Sequence, residues 1–354
     1  MKQVSFSHAE LVTNVTVCTA TGGFAGIEDG GNGEEETQMR KSLDSRRSRL
    51  VFLVCLILVL TSWVSLDAQK LKVGVSFYTL TNPFFLEIRD AAKAVVEKAG
   101  GQLVVVSSEF DVNKQVSQVE DLIASGVKAI ILNPADSKAV TPAVEAANKA
   151  GIPVITVDIN AEGGNVDSFV ASDNVMAGRL AGQYAAQRLK GKGNVVILDW
   201  PLVNAVVERV DGFKAAVKPF SGIKIIDIQN AGANRDGGLK IMENMLQAHP
   251  DIDCVFSIND PSGMGGLAAI QAANAQNKMF IVSVDAQTFA LEEIKKEGGK
   301  TFAMTAAQFP TLMGQYAAEM AMRRIRGERV PSVIKTPTAT VTIDNVDEFL
   351  TKTK

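Results

Sequence analysis

The sequence predicts an α/β protein made of two doubly wound lobes, each built on a parallel sheet. Three observations lead to this prediction. The chain has 354 residues, which is more than one hydrophobic core usually organises. From Lys70 onward, short β-rich runs alternate with amphipathic helical stretches. The same alternation starts again near residue 195, so two consecutive sets of strands and helices are expected.

The predicted strands are short runs that are apolar at almost every position, as strands covered by helices on both faces must be. The first set lies at residues 71–75, 103–106, 129–132 and 153–157, and the second at 195–198, 223–226, 255–258 and 280–284. Helical stretches separate these runs. The clearest helix covers residues 82–99 and stops at Gly100-Gly101, because glycine readily ends a helix.

Polar and aromatic residues follow many of these runs. In doubly wound lobes, ligands gather outside the carboxyl ends of the strands, so these residues are the candidates for function. They are Tyr78, Asn82, Asp158, Asn160, Trp200, Asn230, Asn259, Asp285 and Gln308. Carboxylates accept hydrogen bonds from hydroxyl groups, amides both donate and accept, and aromatic faces cover the C–H side of a sugar. This composition favours a polyhydroxylated ligand.

Residues 39–68 have the features of a cleavable secretory signal peptide. Arg46, Arg47 and Arg49 precede an apolar run at residues 50–60, and Ala68 is a small residue at the expected cleavage point. The run is shorter than the roughly 20 residues of a membrane-spanning helix, although an uncleaved anchor stays open as the alternative. Residues 1–38 show no helical or strand period, and we expect a non-native or disordered extension there, with translation starting at Met39. Export would place the mature protein in the periplasm.

Several classes of function are disfavoured. The formal net charge of −3 and the lack of long runs of like charge argue against a nucleic-acid partner. His8 and His249 are the two histidines, so metal binding and general-base chemistry have little support, and no cofactor is expected. Cys254 remains alone after leader removal, in an apolar run that predicts a buried, inert thiol. The glycine-rich stretch 262–266 lacks the lysine of a phosphate loop and is expected to ease helix packing.

Seven motifs stand in one order along residues 70–352. They are Thr79-Leu80-Thr81-Asn82-Pro83-Phe84-Phe85, Ile152-Pro153-Val154-Ile155-Thr156-Val157-Asp158, Ala171-Ser172-Asp173-Asn174, Glu208-Arg209 before Gly212-Phe213, Asn259-Asp260, Val284-Asp285 and Ala307-Gln308. In this order and spacing, they make the chain resemble the ribose-type periplasmic sugar-binding proteins, the soluble receptors of bacterial sugar ABC transporters. The resemblance implies the type I periplasmic binding protein fold, with a three-strand hinge whose crossings lie near Ser172, Gln308 and Thr338. It assigns residues 69–172 plus 309–337 to the N-terminal lobe and 173–308 plus 338–354 to the C-terminal lobe.

The resemblance also implies ligand contacts at the positions that match the family's motifs. These are Asn82, Phe84, Phe85, Asp158, Arg209, Asn259, Asp285 and Gln308. Tyr78, Asn160 and Trp200, which follow predicted strands, complete the predicted ligand site.

Alternatives stay open for several of these residues. Asn82 also fits the N-cap of a helix that begins at a proline, and both roles are compatible. The two phenylalanines could belong to the lobe core, the two aspartates could be turn residues, and Arg209 could form a surface salt bridge with Glu208 or Asp211.

The sequence departs from the ribose pattern at four positions. Ile159 stands where the family usually has an arginine, and an aromatic residue expected near Ala233 is missing. Tyr78 replaces a smaller residue, and Trp200 is added at a strand end of the second lobe. These changes put ribose itself in doubt, and a related pentose, hexose or sugar alcohol is expected instead.

By this resemblance, the protein captures a small neutral monosaccharide or polyol by lobe closure and delivers it to an ABC transporter permease. The two carboxylates Asp158 and Asp285 outnumber the single cation Arg209, so the predicted site has no excess positive charge to bind an anionic ligand. A chemoreceptor is a further partner of the family, whose members are generally monomers. The alternative is a sugar-binding effector or sensor domain that signals to a regulator, although repressors of this fold carry a helix-turn-helix where this chain has its signal peptide. An enzyme that uses Asp158 and Asp285 as an acid/base pair is the other rival, and the family match argues for recognition instead.

Overall fold

A computed structural model of the protein describes residues 70–352. The predicted signal peptide at 39–68 and the extension at 1–38 lie outside these described residues. Within 70–352, no helix combines the length and the apolar character needed to cross a lipid bilayer.

Twelve strands of the described region form two six-stranded sheets, and the two sheets share one strand order. The first sheet has the order β11-β5-β4-β3-β1-β2 and the second β12-β10-β9-β8-β6-β7. The first sheet contains β1 (Lys72–Phe77), β2 (Gln102–Ser107), β3 (Ala129–Leu132), β4 (Val154–Val157), β5 (Ser168–Ser172) and β11 (Val333–Thr336). The second contains β6 (Lys192–Asp199), β7 (Gly222–Asn230), β8 (Cys254–Ser257), β9 (Phe280–Asp285), β10 (Phe302–Ala307) and β12 (Ala339–Thr342). The prediction of two lobes with parallel sheets is confirmed, and the β10–β12 pair is antiparallel.

Helices cover both faces of each sheet, which explains why the strands are apolar throughout. With the first sheet pack α1 (Pro83–Lys98), α2 (Val112–Ala124), α3 (Thr141–Lys149) and α9 (Pro310–Ile325). With the second sheet pack α4 (Asn174–Arg188), α5 (Asn204–Val217), α6 (Arg235–Ala248), α7 (Asp260–Ala272), α8 (Thr288–Glu297) and α10 (Val346–Lys352). We call each sheet with its helices the first lobe and the second lobe.

The chain passes between the lobes three times. It leaves the first sheet after Ser172, returns to the first lobe between Ala307 and Pro310, and leaves again between Thr336 and Ala339. All three crossings lie beside β5, β10, β11 and β12, at one end of the strand order of each sheet. The edge strands β2 and β7 therefore lie at the end far from the crossings.

The close packing of α6 against α7 depends on glycine. The stretch 262–266 lies in α7, where a Cβ on Gly265 would stand 2.0 Å from the carbonyl oxygen of Arg235 at the start of α6. The expectation that this stretch eases helix packing is confirmed. Cys254 is fully buried in β8, and burial raises the pKa of its thiol, in line with an inert role.

Candidate ligand-binding site

The two lobes meet around a small cavity of about 20 Å³, which we call the inner cavity. Its walls come from strand ends and helix starts of both lobes, where polar side chains were predicted to gather. They are Tyr78, Asn82, Phe84, Phe85, Asp158, Arg209, Asn259, Asp285 and Gln308. Nine of the eleven residues predicted for the ligand site thus lie around one cavity.

The two carboxylates of the inner cavity sit on unusual backbone. Asp158 directly follows β4 and has φ of 63°, while Asp285 ends β9 with φ of 131°. Residues other than glycine adopt such angles at a cost of about 1–3 kcal/mol, so the surrounding structure must hold them there. Strain of this kind is concentrated at functional sites, and here it marks the carboxylate of each lobe that faces the cavity.

Arg209 lies between these carboxylates and is 5% exposed. Its Nη2 atom is 3.9 Å from Asp158 Oδ1, and its Nη1 atom is 3.8 Å from Asp285 Oδ1. Both distances exceed a hydrogen bond, so these contacts are electrostatic. The guanidinium is held instead by Asn174 Oδ1, which accepts from Nε at 2.8 Å, and by the Ile258 carbonyl, which accepts from Nη1 at 2.8 Å. The alternative of a surface salt bridge is therefore wrong.

Burial dominates the electrostatics of the carboxylates. It raises the pKa of Asp158 to about 7, against the opposing attraction of Arg209 and with a further increase from Asp285. Burial also raises the pKa of Asp285, although Arg209 and a hydrogen bond from Gln308 oppose it. In this closed arrangement, neither carboxylate ionises as readily as in water.

Asp260 forms a second layer behind Asp285. It is fully buried, its Oδ1 accepts from the Thr305 hydroxyl at 2.8 Å, and its Oδ2 accepts from the Gln287 backbone N–H at 2.9 Å. Burial, followed by the neighbouring Asp285, raises its pKa well above the ordinary value. This layer holds the turn after β9 and so fixes the direction of the Asp285 carboxylate.

Several buried polar atoms in and beside the cavity find no hydrogen-bond partner within residues 70–352. These are the oxygens Asp158 Oδ1, Asn133 Oδ1, Gln308 Oε1 and Gln287 Oε1, together with the nitrogen Asn174 Nδ2. Unpaired buried polar atoms are costly and uncommon in native proteins. A hydroxyl group both donates and accepts, so a polyhydroxylated ligand is the chemistry that suits this mixture.

Two amides of the cavity also begin helices. Asn82 is the N-cap of α1, and its Oδ1 accepts from the Phe84 backbone N–H at 3.0 Å, so the capping role is confirmed. Asn259 is the N-cap of α7, with its Oδ1 accepting from the Ser262 N–H and its Nδ2 donating to the Ala233 carbonyl, both at 3.0 Å. For Asn259, both ends of the amide have structural partners.

Aromatic rings close one side of the cavity. The ring centroid of Tyr78 lies 4.8 Å from that of Phe85, 5.2 Å from Phe110 and 5.4 Å from Trp200. Trp200 follows β6 and belongs to the second lobe, so its contact with Tyr78 crosses between the lobes. Trp200 itself does not line the inner cavity and lies behind Tyr78.

Asn160 is the other predicted ligand-site residue that does not line the inner cavity. The Thr156 hydroxyl donates to Asn160 Oδ1 at 2.7 Å, and the backbone N–H of Asn160 donates to Asn204 Oδ1 at 3.2 Å. Asn160 therefore contributes to contacts between the lobes at the rim. Asn230, a further strand-end candidate, is exposed at the end of β7.

Sequence reasoning missed three residues of the site. Asn133 directly follows β3, so the strand-end rule identifies it, and its Nδ2 donates to the Val157 carbonyl at 3.0 Å. Gln287 joins the lobes, since its Nε2 donates to Asn82 Oδ1 at 2.6 Å and to Asp285 Oδ2 at 3.3 Å. No pattern pointed to Gln287, because its partner is 205 positions away in the chain. Phe110 follows β2, and its packing on Tyr78 was likewise not predicted.

Close packing of two helices fixes the position of Arg209. A Cβ added to Gly178 of α4 would stand 1.8 Å from the backbone oxygen of Arg209, and one added to Gly212 of α5 would stand 2.1 Å from that of Val175. The two glycines thus allow α4 and α5 to approach until their backbones touch. This approach brings Asn174, at the start of α4, within reach of the Arg209 side chain.

Comparisons of the sequence with known proteins all point to periplasmic binding proteins. Residues 73–329 match the family model described as a periplasmic binding protein domain. The chain is 37% identical over 272 residues to the ribose import binding protein RbsB of Bacillus subtilis, an alignment that covers 77% of this chain and 87% of that protein.

Solved structures show the same likeness. An ABC transporter solute-binding protein from Mycobacterium smegmatis with bound glycerol matches with a TM-score of 0.75 and 33% identity, covering 79% of this chain and 97% of that one. A solute-binding protein from Bacillus halodurans with bound myo-inositol matches with a TM-score of 0.75 and 28% identity, covering 81% and 100%.

Proposed function

Because the chain belongs to the periplasmic binding proteins of the ribose-binding type, we propose that it is the solute-binding protein of a bacterial ABC transporter. It binds a small neutral monosaccharide or polyol between its lobes and delivers this solute to a membrane permease. The observation that carries the proposal is the inner cavity, where Asp158 of the first lobe and Asp285 of the second face each other across Arg209.

The charges around the cavity favour an uncharged ligand. Two carboxylates share a single guanidinium there, and Asp260 adds a third acid behind them. An anionic ligand would meet two carboxylates in a buried site and lose its hydration without compensation. Hydroxyl groups can instead donate to the carboxylates and accept from Arg209, and such charge-assisted bonds contribute about 1.5–3 kcal/mol each. A few of them, less the cost of ordering, correspond to a Kd near micromolar, about −8 kcal/mol.

Lobe closure is the proposed means of capture. Ligand contacts come from both lobes, so a ligand satisfies all of them only when the lobes are together, and it stabilises that state relative to an open one. The three chain crossings beside Ser172, Gln308 and Thr338 serve as the hinge in this proposal, with lobe boundaries at 69–172 plus 309–337 and 173–308 plus 338–354. Secretion by a cleaved signal peptide and action in the periplasm belong to the same proposal, as does a role in binding without catalysis.

A thermal-shift screen of monosaccharides, polyols, sugar acids and amino sugars, followed by calorimetry, tests the proposal. A ligand that binds the folded state raises the melting temperature, and we expect neutral compounds to do so. If only sugar acids bind, the prediction of a neutral ligand is wrong.

Variants of two arginines provide the control. We expect Arg209→Ala to lower the affinity for the ligand found in the screen by roughly 30-fold or more. The reason is that the substitution leaves two buried carboxylates without their cation. Arg179→Ala removes an exposed arginine of α4 and should leave the affinity unchanged. Equal affinities of the two variants would place the ligand elsewhere.

A further inference from the structure

We propose that Tyr78 sets the size limit of the ligand, so that the closed site accepts acyclic polyols and excludes pyranose rings. This inference rests on the proposed function and names the substrate class for the same site. Its basis is the position of the Tyr78 ring between two cavities of very different volume.

The inner cavity is too small for a sugar ring. Its volume of about 20 Å³ is enough for one or two water molecules, since one water needs roughly 10–15 Å³ in this measure. Such a space accepts the hydroxymethyl end of a polyol. A pyranose ring would fit only if side chains that line the cavity moved away.

A larger cavity lies directly beside the inner one. This outer cavity measures about 230 Å³, and its walls include Tyr78, Asn82, Phe110, Arg235, Met264 and Phe289. Tyr78 and Asn82 line both cavities, so these two side chains form the partition. A linear polyol can place one end among the carboxylates and extend past the partition into the outer cavity. Its unbranched carbon chain has a smaller cross-section than a sugar ring.

Of the two partition residues, Tyr78 determines how wide the passage between the inner and the outer cavity is. The Asn82 side chain is fixed because its Oδ1 caps α1 and accepts a hydrogen bond from Gln287. The Tyr78 ring is 4% exposed and packs against Phe85, Phe110 and Trp200, the last from the second lobe. In the closed state it is therefore held from both lobes and cannot turn aside without breaking ring contacts.

Tyr78 lines the inner cavity together with the Asp158 and Asp285 carboxylates. Burial raises the pKa of its phenol well above the ordinary value, and the two carboxylates raise it further. The ring thus occupies space next to the carboxylates that a ligand would otherwise fill.

A third cavity, of about 180 Å³, adjoins the inner one on another side, at Phe84, Asp285 and Gln308. Gln308 Nε2 donates to Asp285 Oδ1 at 2.7 Å on that side, so extension there would separate a hydrogen-bonded pair. The path past Tyr78 keeps this pair intact, which favours the outer cavity.

Calorimetry with matched pairs of acyclic and cyclic ligands tests the inference on the full chain. Xylitol and xylose have five carbons each, and sorbitol and glucose have six, so each pair differs chiefly in the ring. For the unmodified protein, we expect the acyclic member to bind at least about tenfold more tightly, the scale at which a pocket discriminates by size. In Tyr78→Ala, which joins the two cavities, this preference should fall by about tenfold or more. Tyr78→Phe, which keeps the ring, should retain it.

Three results would count against the inference. Tighter binding of the pyranoses by the unmodified protein would overturn it, and so would an unchanged preference in Tyr78→Ala. If Tyr78→Ala does not fold, as judged by circular dichroism and thermal melting, Tyr78→Val makes the same comparison with less loss of packing. If no sugar or polyol of any size raises the melting temperature of the unmodified protein, the proposed function fails, and the inference fails with it.

Discussion

The central feature at the scale of single residues is a pair of buried carboxylates whose pKa values the fold raises. Asp158 and Asp285 lie on backbone with positive φ, in a cavity where Arg209 approaches both without hydrogen-bonding to either. The burial that makes the carboxylates costly to ionise also makes their hydrogen bonds to a ligand strong, because water does not compete there. The site is therefore unfavourable for the empty closed protein and favourable with a ligand that donates hydroxyl protons.

The raised pKa of Asp158 predicts how stability depends on pH. Between the ordinary value near 3.8 and the folded value of about 7, the folded closed protein keeps a proton that the unfolded chain has lost. This contribution to stability is complete below pH 3.8 and is lost as pH rises through 7. From pH 5 to pH 7, the closed form of the wild type should lose up to about 1.4 kcal/mol per pH unit from this group relative to the open form and to the unfolded chain, whereas the closed form of Asp158→Asn should not. Small-angle X-ray scattering of the ligand-free proteins at pH 5, 6, 7 and 8 measures the difference, because only the wild type should open further as the pH rises.

The control for this experiment is Asp344→Asn, which removes the same charge from an exposed position. Its radius of gyration should follow that of the wild type across the pH range. The same pH dependence in wild type and Asp158→Asn would contradict the prediction, because it would mean that ionisation of Asp158 does not oppose closure.

How much of the site could be predicted from the sequence also depends on the residue. Asp158 and Asp285 were found because they end apolar strands, and Arg209 because its motif matches a family pattern. Asn133 obeys the same strand-end rule as Asp158 and was overlooked. Gln287 could not be found in this way, because its contact with Asn82 exists only once two lobes are placed against each other.

At the scale of elements, the site depends on how closely α4 and α5 approach. Gly178 and Gly212 allow backbone contact between these helices, and the contact brings Asn174 to the Arg209 guanidinium. The polar cluster is thus positioned by small residues that do not touch the cavity themselves.

Gly178→Ala tests this dependence. The new Cβ would stand 1.8 Å from the Arg209 carbonyl oxygen, far inside van der Waals contact, so α4 must move away from α5. We expect a loss of about 1–3 kcal/mol in the free energy of unfolding, as overpacked cores show, together with weaker ligand binding as Arg209 shifts. Gln183→Ala, on the exposed face of the same helix, should leave both quantities unchanged. Unaltered stability and affinity in Gly178→Ala would show that the helix contact does not position Arg209.

The elements themselves differed in how well the sequence predicted them. Strands such as β3 and β8 were predicted to within a residue, because continuous apolar runs in a covered sheet have few alternatives. No strand was predicted at β5 or at β10. The sequence of β10, Phe302–Ala307, is rich in alanine, which favours helices, and only its place between β9 and β12 makes it a strand.

At the scale of the whole molecule, one strand order occurs twice and the chain crosses between the two copies three times. The sequence predicted the two lobes because its strand–helix alternation runs twice. It did not predict the contacts that join them at a distance from the crossings. Examples are the bond from the Ser137 backbone N–H to the Leu202 carbonyl at 3.2 Å and the bond from the Asn204 backbone N–H to Ser137 Oγ at 3.1 Å. Such contacts depend on the angle between the two lobes. The local pattern of apolar and polar residues in the sequence does not encode this angle.

These contacts join the two lobes in a closed arrangement, and we expect a second, open arrangement as well. Without ligand, two buried carboxylates and several unpaired polar atoms disfavour closure, and an opening about the crossings would hydrate them. A ligand that pairs these atoms reverses the balance and shifts the population to the closed state.

Small-angle X-ray scattering of one preparation, with and without the ligand found by the screen, tests whether the lobes close on the ligand. We expect saturating ligand to lower the radius of gyration and to bring the scattering curve toward that calculated for the closed arrangement. An identical radius of gyration with and without bound ligand would contradict capture by closure.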